Sequence, residues 1–553
     1  MSKLALSLAV TFTGIVFVVG SGCYLVVDKS NEGCGGDCTG TTNPSPQASG
    51  SGSYTGSPPT GFGTGGTGGR ASSPDDPLST AVPPPSACPS VAVSRFNELM
   101  IIDPQVTNDA RASNESLYRP WSFRARMEAL VPSSADSAGA VAAAWLDQWS
   151  SLTSIPVSTD PEAINVSIQP RPAVNQVLLC PWLTQSASGC DSSCANCANR
   201  NLELAVSPFR LLAIVNRADA AVTGSASSAA ACGAKGGELR FIYGAADPFS
   251  SSVLPLTVSF EYTVTLQPGE TLRDWAAAWH ALGAMTIGSS SFNAKLDTVI
   301  AEGLARATLG RVVTNEVAFG SSDGLPWEMR QFEPRLTDAG TIRLVEVAVN
   351  GTPRLTLASS ADLGQWIDAN SASVLGGQNP LPATMLAGSA PIPSVDFAWH
   401  TTATDSGAAA AFNQNTCNGC HGGRTDPTDV PFQHVAPPAA MTYYGSGAGA
   451  PTAAHLSLFL HNPGHDDELG RREKLLASFL CTSCGASGGA GGAPGRGGAG
   501  GAGYATGAGG AAGALGAAGA GGAAGALGAA YGGGPGGAAG MAASGGAGGY
   551  VAR

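Results

Sequence analysis

Clusters of basic side chains are missing from the two long glycine-rich segments of this sequence. The whole chain carries 28 lysine and arginine residues against 40 aspartate and glutamate residues, which gives a formal net charge of -12. Nucleic-acid binding depends on patches of Lys and Arg that neutralise phosphates. We therefore expect no nucleic-acid partner.

A hydrophobic run long enough to span a membrane is also missing from the N-terminus. The apolar run from Leu4 to Val19 follows one early charge at Lys3, and it is shorter than the roughly 20 residues that a membrane-spanning helix needs. A short basic start, an apolar stretch and an exit through small residues are typical of a secretory signal. We assign residues 1–22 to a signal peptide and expect an exported chain.

The residues at the end of this signal, Gly20 to Cys23, read GSGC. They resemble the lipobox of bacterial lipoproteins, in which a peptidase cuts before a cysteine that receives the lipid. The resemblance implies a lipid anchor at Cys23 that attaches the protein to a membrane of the cell envelope. We expect the protein to be anchored at the outer membrane or to reside in the periplasm. The alternative is an ordinary cleaved signal followed by a free or disulfide-bonded Cys23.

Large apolar residues are scarce near both ends of the chain. Residues 23–87 are dominated by Gly, Ser, Thr and Pro, and residues 485–553 are almost entirely Gly and Ala with charges only at Arg496 and Arg553. Such segments bury too little apolar surface to offset the entropy lost on ordering. We predict a disordered linker after the anchor and a disordered C-terminal tail.

Residues 88–404 have the composition of a packed protein, and their patterning predicts an α+β body of unknown function. Helical periodicity is clearest in residues 121–131, 138–152, 271–285 and 292–307. Alternation with a period of two predicts strands in residues 209–217, 238–245, 254–266, 312–319 and 341–358. Within the last segment, Asn350-Gly351 predicts a hairpin. This order of strands and helices favours a mainly antiparallel sheet.

A nucleophile-plus-base signature is missing from the body. Several charged residues lie close in sequence on predicted strands: Arg217, Asp219, Glu238, Arg240 and Glu261. Acid–base catalysis would need two of them in one pocket, whereas paired charges on neighbouring strands are common. We predict an ion-pair network there and assign no catalytic residue. His280 is predicted to pack among helix core residues.

Thirteen cysteines suit an oxidising compartment better than the cytosol. Without Cys23, Cys417 and Cys420, ten remain, an even number that disulfides can use in full: Cys34, Cys38, Cys88, Cys180, Cys190, Cys194, Cys197, Cys232, Cys481 and Cys484. The run from Cys180 to Cys197 has no histidine nearby, so we expect a loop stapled by disulfides rather than a zinc site.

The stretch NTCNGCHGG, residues 415–423, places Cys417, Cys420 and His421 in the CxxCH spacing. Each thiol can add to one vinyl group of a porphyrin, and two intervening residues let both thiols reach it from a single turn. The adjacent His421 is then placed to coordinate the iron. We predict a covalent haem c, with Cys417 and Cys420 as the attachment residues and His421 as an iron ligand.

The residues around this motif resemble a small class I cytochrome c. AAAAFNQNTCNGCHGG is similar to the family's N-terminal helix running into the attachment motif, and residues 465–480, HDDELGRREKLLASFL, are similar to the C-terminal helix that packs across it. The resemblance implies that residues 405–484 form an all-α haem module that exchanges electrons with a redox partner protein. The layout also resembles uncharacterised exported bacterial lipoproteins with a β-rich body and a CxGCHGG module.

The sixth iron ligand departs from the family, which usually supplies a distal methionine. We choose His434, because Pro431 and Pro437 restrict the backbone around it. Met441 is the alternative.

Two alternatives to haem stay open. Cys417 and Cys420 could form a disulfide, or they could bind zinc together with Cys481 and Cys484 as two CxxC pairs. The rival function is a non-redox surface protein that binds a partner or a glycan and whose cysteines are all structural. A third possibility is an oxidase or peroxidase with a vacant sixth position on the iron.

Overall fold

The computed structural model describes residues 91–484 except 132–136, 157–164, 192–193, 195, 222–230, 234, 250–251, 318–325, 339, 350, 376, 378, 395–396, 424–431, 439–452, 464–466 and 483. Several predictions fall outside the described residues: the signal peptide, the anchor at Cys23, the linker, the tail, Cys34, Cys38, Cys88 and Met441. Within the described part of the chain, no helix has both the length and the apolar character needed to cross a membrane.

An antiparallel sheet of eight strands forms the centre of this part of the chain. Its strands are β1 (Met100–Ile101), β4 (Phe209–Arg217), β5 (Lys235–Ala246), β6 (Val253–Thr265), β7 (Ala307–Val317), β8 (Trp327–Leu336), β9 (Ile342–Val347) and β10 (Ala390–Ile392). The spatial order is β1-β4-β5-β6-β7-β8-β10, and β9 also pairs with β8. Strands β10 and β9 follow one another along the same edge of β8.

Two short ribbons and a set of helices surround the sheet. The ribbons are β2 (Thr153–Pro156) with β3 (Asn165–Ile168), and β11 (Val435–Ala436) with β12 (His455–Leu456). The helices are α1 (Pro104–Thr107), α2 (Phe123–Glu128), α3 (Ala138–Asp147), α4 (Pro172–Val174), α5 (Cys180–Gln185), α6 (Leu272–His280), α7 (Ser290–Ala305), α8 (Ala361–Ala369), α9 (Ser371–Leu375), α10 (Ser406–Asn415), α11 (Cys417–Gly423) and α12 (Glu468–Cys481). The prediction of an α+β fold is confirmed.

Two hydrophobic cores form around the sheet, and side-chain alternation separates them along β8. Phe332 belongs to the first core, whereas Trp327 and Met329 belong to the second. The first core contains a group of aromatic rings in mutual contact: Phe123, Trp145, Trp149, Trp182, Phe209, Tyr243, Phe260 and Phe332. The second core is smaller and includes residues of α8, α9 and α10.

The predicted ion-pair network is confirmed. Arg240 reaches Glu261 on the neighbouring strand at 2.9 Å and also pairs with Glu238. Arg311 of β7 approaches the other oxygen of Glu261 at 2.5 Å. Arg217 pairs with Asp219 at 2.9 Å, and Asp219 also pairs with Arg471 of α12 at 3.0 Å. These charges neutralise one another, as cross-strand pairs commonly do.

A second group of charges, not predicted from the sequence, is buried beneath β7, β8 and β9. Arg171 lies 2.6 Å from Glu328, and Arg330 lies 2.9 Å from Glu328 and 3.4 Å from Glu346. Glu316 approaches both arginines at 3.7 Å. Each of the five side chains is at most 3 % exposed. Such groups are stable only when the charges remain paired.

Three disulfides are described. Cys180 pairs with Cys194 and Cys190 pairs with Cys197, which confirms the predicted stapled loop. Cys232 pairs with Cys484 at a sequence separation of 252 residues. That bond joins the end of α12 to the segment before β5.

The segment around the CxxCH motif is packed into the body. Helix α10 contributes Ala408 and Phe412 to the second core. Helix α12 contributes Leu469 and Leu476 to the first core and packs on α6. The cytochrome c resemblance implied that these two helices pack across one another, whereas here they belong to different cores.

Two smaller predictions were wrong. After β9, Leu355–Leu357 form a 3₁₀ turn and Pro353 bridges to Leu386, so the segment after Gly351 is not the second arm of a hairpin.

His280 ends α6 with its side chain 35 % exposed and its Nδ1 2.8 Å from buried Glu98. A carboxylate therefore fixes this ring, which is not packed among core residues.

Candidate haem site around Cys417, Cys420 and His421

Two consecutive helices present the CxxCH motif. Helix α10 is capped by Asp405, whose side chain accepts a hydrogen bond from the backbone N–H of Ala408. Thr416 interrupts the helix with extended backbone angles, and α11 begins at Cys417. The indole N–H of Trp399 donates to the Thr416 hydroxyl at 3.0 Å. The motif therefore starts a new helical turn in a position fixed by the second core.

The glycines of the motif allow close packing against backbone. A Cβ at Gly419 would lie 2.4 Å from the carbonyl oxygen of Asn413, and one at Gly422 would lie 2.7 Å from that of Phe397. Neither distance is compatible with a side chain unless the backbone shifts. The sequence CNGCHG thus provides both the reactive groups and the room to bury them.

Cys417 and Cys420 are thiols rather than members of disulfides, and they lie three residues apart on one short helix. Cys420 is 9 % exposed and Cys417 is half-buried. Burial raises the pKa of the Cys417 thiol, and the nearby charge of Arg311 opposes that shift. Cys417 is therefore protonated at neutral pH.

His421 is held as a neutral imidazole whose Nδ1 carries the proton. Its Nδ1 lies 2.6 Å from the carbonyl oxygen of Phe432, so Nδ1–H donates to that oxygen and Nε2 keeps its lone pair. Burial lowers the pKa of His421 to about 4, although the bond to Phe432 opposes this shift. Metal-binding histidines are commonly fixed by such a bond from their other ring nitrogen.

Phe432 adopts an unusual backbone conformation to provide this oxygen. Its φ is 67°, in the left-handed region that bulky residues rarely occupy. Its side chain is 4 % exposed and packs in the second core. Core packing therefore holds a strained residue next to His421, as is common at functional sites.

His434, the predicted sixth ligand, lies against both parts of the motif. Its Nε2 is 3.4 Å from the Cys420 sulfur, and its Nδ1 is 2.8 Å from the hydroxyl of Ser457. Its ring centre lies 4.1 Å from that of His421, with 42° between the planes. Burial, together with the neighbouring His421, lowers the pKa of His434 well below its ordinary value. Both imidazoles are therefore neutral.

Trp327 covers the His421 ring as well. The ring centres of Trp327 and His421 lie 4.7 Å apart, with 24° between the planes. Trp327 is fully buried in β8. This role could not be predicted from the sequence, because the strand that carries Trp327 was not predicted. Phe432 and Ser457 were also missed, because the role of Phe432 depends on its backbone conformation and that of Ser457 on a single hydroxyl.

The residues of the CxxCH motif fit a c-type haem. Two thiols project from one helical turn, and the neighbouring imidazole is neutral with Nε2 as its ligand atom. This is the donor set that a c-type haem requires.

His434 does not fit the sixth position as it is placed. Two imidazoles on opposite sides of one iron need ring centres roughly 6 Å apart, because each nitrogen binds at about 2 Å.

The other possible ligands are distributed as follows. Met441 and His465 lie outside the described residues. His455 is exposed, and His461 lies 3.4 Å from Asp467. For the zinc alternative, Cys484 is bonded to Cys232 and Cys481 is also in a disulfide. Among the described residues, no group of three or more His, Cys, Asp or Glu side chains has an arrangement that could hold a metal ion.

No protein-family model, no curated protein and no solved structure matches this chain.

Proposed function

We propose that this chain is an exported electron-transfer protein that carries one covalently bound haem c at Cys417, Cys420 and His421. The observation that carries the proposal is the pair of thiols on one buried helical turn beside a neutral histidine with Nε2 as its ligand atom. Few functions other than haem attachment use all three groups together. The haem would supply one-electron redox chemistry when bound.

Each residue of the site has a separate task in this proposal. Cys417 and Cys420 anchor the porphyrin through thioethers. His421 offers Nε2 to the iron, while the Phe432 carbonyl fixes its tautomer and increases its basicity. Trp327 limits rotation of the His421 ring. The surrounding core excludes water, which favours electron transfer over reactions that need solvent at the site.

The cellular part of the proposal rests on the N-terminal sequence. A lipid on Cys23 would hold the protein at a membrane of the cell envelope, and the linker would give the described domain reach toward a redox partner. Replacing Cys23 with alanine should move the protein from the membrane fraction to the soluble fraction. Wild-type protein that is already soluble after export would contradict the anchor.

The haem proposal can be tested by expression in a host that matures c-type cytochromes. Wild-type protein should keep its haem after denaturation, as measured by a pyridine haemochrome assay and by intact mass. The double variant Cys417→Ser/Cys420→Ser should lose it, whereas His455→Ala, which changes an exposed histidine of the same segment, should keep it. A wild-type polypeptide without haem, from a host shown to mature another cytochrome c, would contradict the proposal.

A second candidate function is supported by the contact between Cys420 and His434. Cys417 and Cys420 are thiols, although the other cysteines in the described part of the chain are in disulfides, and the Cys420 sulfur is 3.4 Å from an imidazole nitrogen. A CxxC pair next to a base can cycle between dithiol and disulfide. In haem-free protein, reversible loss of alkylatable thiol at both residues under mild oxidant would support this function.

A further inference from the structure

We propose that His434 is a positioning residue on the same side of the haem as His421, and not the iron ligand opposite it. The inference rests on the proposed haem function and specifies how the site is built. It replaces the role that the sequence suggested for His434.

The imidazole rings of His421 and His434 are close neighbours. Their ring centres are 4.1 Å apart, with 42° between the planes, so the two tilted rings are in direct contact. Ligands on opposite sides of an iron meet it through ring nitrogens and cannot contact one another in this way. His434 therefore lies beside His421.

His434 also contacts Cys420. Both attachment cysteines and His421 project from one short helix, so they approach a porphyrin from one side. The Cys420 sulfur is 3.4 Å from Nε2 of His434. A residue that touches both Cys420 and His421 lies on the side of the porphyrin from which they come.

His434 is firmly held in this position. Its Nδ1 is 2.8 Å from the Ser457 hydroxyl, its carbonyl oxygen accepts a hydrogen bond from Ser457 N–H at 3.0 Å, and its ring lies 4.8 Å from that of Phe459. The next residue, Val435, pairs with Leu456 in the β11-β12 ribbon. Moving the ring to the opposite side of an iron would break these contacts together.

Two aromatic neighbours, Trp327 and His434, therefore lie against His421. Trp327 lies 4.7 Å from the His421 ring centre and His434 lies 4.1 Å from it, so both neighbours restrict rotation of the imidazole plane. The orientation of that plane and the hydrogen bond at Nδ1 influence the electronic state of a bound iron. Met441 remains the sequence-based alternative for the opposite ligand.

The test compares haem-loaded wild type with His434→Ala, His434→Gln and Ser457→Ala. His455→Ala is the matched control, because His455 is exposed and lies two residues before Ser457. Spin state and ligand type are read by magnetic circular dichroism, the orientation of the imidazole plane by the anisotropy of the electron paramagnetic resonance spectrum, and the potential by redox titration. Ser457→Ala keeps the ring and guards against a misfolded His434→Ala variant.

We expect all variants to keep the wild-type spin state and opposite ligand. Both His434 variants should shift the spectral anisotropy and the potential, Ser457→Ala should shift them less, and His455→Ala should leave them unchanged. Conversion of His434→Ala to a high-spin iron that binds added imidazole would overturn the inference and leave the haem proposal intact. Spectra and potential identical to wild type in both His434 variants would also overturn it. Wild type without haem would overturn both proposals.

Discussion

Two neighbouring residues of β8 face very different surroundings. Trp327 stacks on the neutral imidazole of His421 within an aromatic core. Glu328 points to the other side of the strand and lies in the buried group with Arg171 and Arg330. Strand β8 therefore places a buried charged group on one side and a buried neutral histidine on the other, so the charges stay away from the histidine. Removing groups from each side should therefore have different effects.

The largest effect is expected on the charged side. Replacing Arg330 with Met leaves Glu316, Glu328 and Glu346 with Arg171 as the remaining guanidinium of the group. Leaving buried charges unpaired typically costs about 3–5 kcal/mol in the free energy of unfolding. Chemical denaturation of the purified protein measures this loss.

The matched control is Arg335→Met on the same strand. Arg335 and its partner Glu333 are 53 % and 40 % exposed, and surface pairs of this kind contribute about 1 kcal/mol or less. Equal losses in the two variants would contradict the idea that burial makes the charged side of β8 special.

A somewhat smaller effect should depend on pH. Burial raises the pKa of Glu346 from 4.5 to about 7, although Arg330 opposes this shift. Between these pH values the folded protein holds a proton that the unfolded chain has lost, so this group makes the protein less stable as pH rises. The loss is on the order of 3 kcal/mol across the window and does not increase above it.

The variant Glu346→Gln isolates this contribution from other titrating groups. The difference in free energy of unfolding between wild type and variant should change across the window and be constant above it. Parallel curves for wild type and Glu346→Gln would show that Glu346 titrates normally.

The smallest of these effects is expected at the proposed haem site. A Cβ at Gly419 would meet the Asn413 carbonyl oxygen at 2.4 Å, so Gly419→Ala should cost about 1–3 kcal/mol through overpacking. It should also shift α11 relative to His434 and reduce haem attachment. Gly310→Ala is the control, because its nearest contact would be an ordinary 3.5 Å. A Gly419→Ala protein with wild-type stability and haem content would show that this close approach is unimportant.

Much of the α+β body could be predicted from periodicity. The alternation in residues 209–217 matches β4, and the helical pattern of residues 292–307 lies close to α7. Strand β8 was missed because Glu328, Arg330 and Pro334 interrupt its pattern, and alternation assumes that buried positions are apolar. Charged residues buried against one another on the same sheet defeat that assumption.

The candidate site could be predicted only where chemistry is local. CxxCH carries its own signal, and it pointed to Cys417, Cys420 and His421. The left-handed Phe432 and the contact of His434 with Ser457 depend on folding of distant segments. The packing of α12 was predicted incorrectly, because an amphipathic helix shows that it has an apolar face but not which partner covers it.

The bond between Cys232 and Cys484 has a consequence for the order of events as the chain is synthesised and oxidised. A chain that emerges from its N-terminus presents Cys232 first, and its partner lies 252 residues further along the chain. Cys417 and Cys420 appear within that interval as thiols that can attack a disulfide already formed by Cys232. Correct pairing therefore requires either that these thiols are occupied early or that wrong bonds are reshuffled once Cys484 is available. If haem is attached as proposed, its attachment at Cys417 and Cys420 and closure of the bond between Cys232 and Cys484 are thus competing reactions of a single chain.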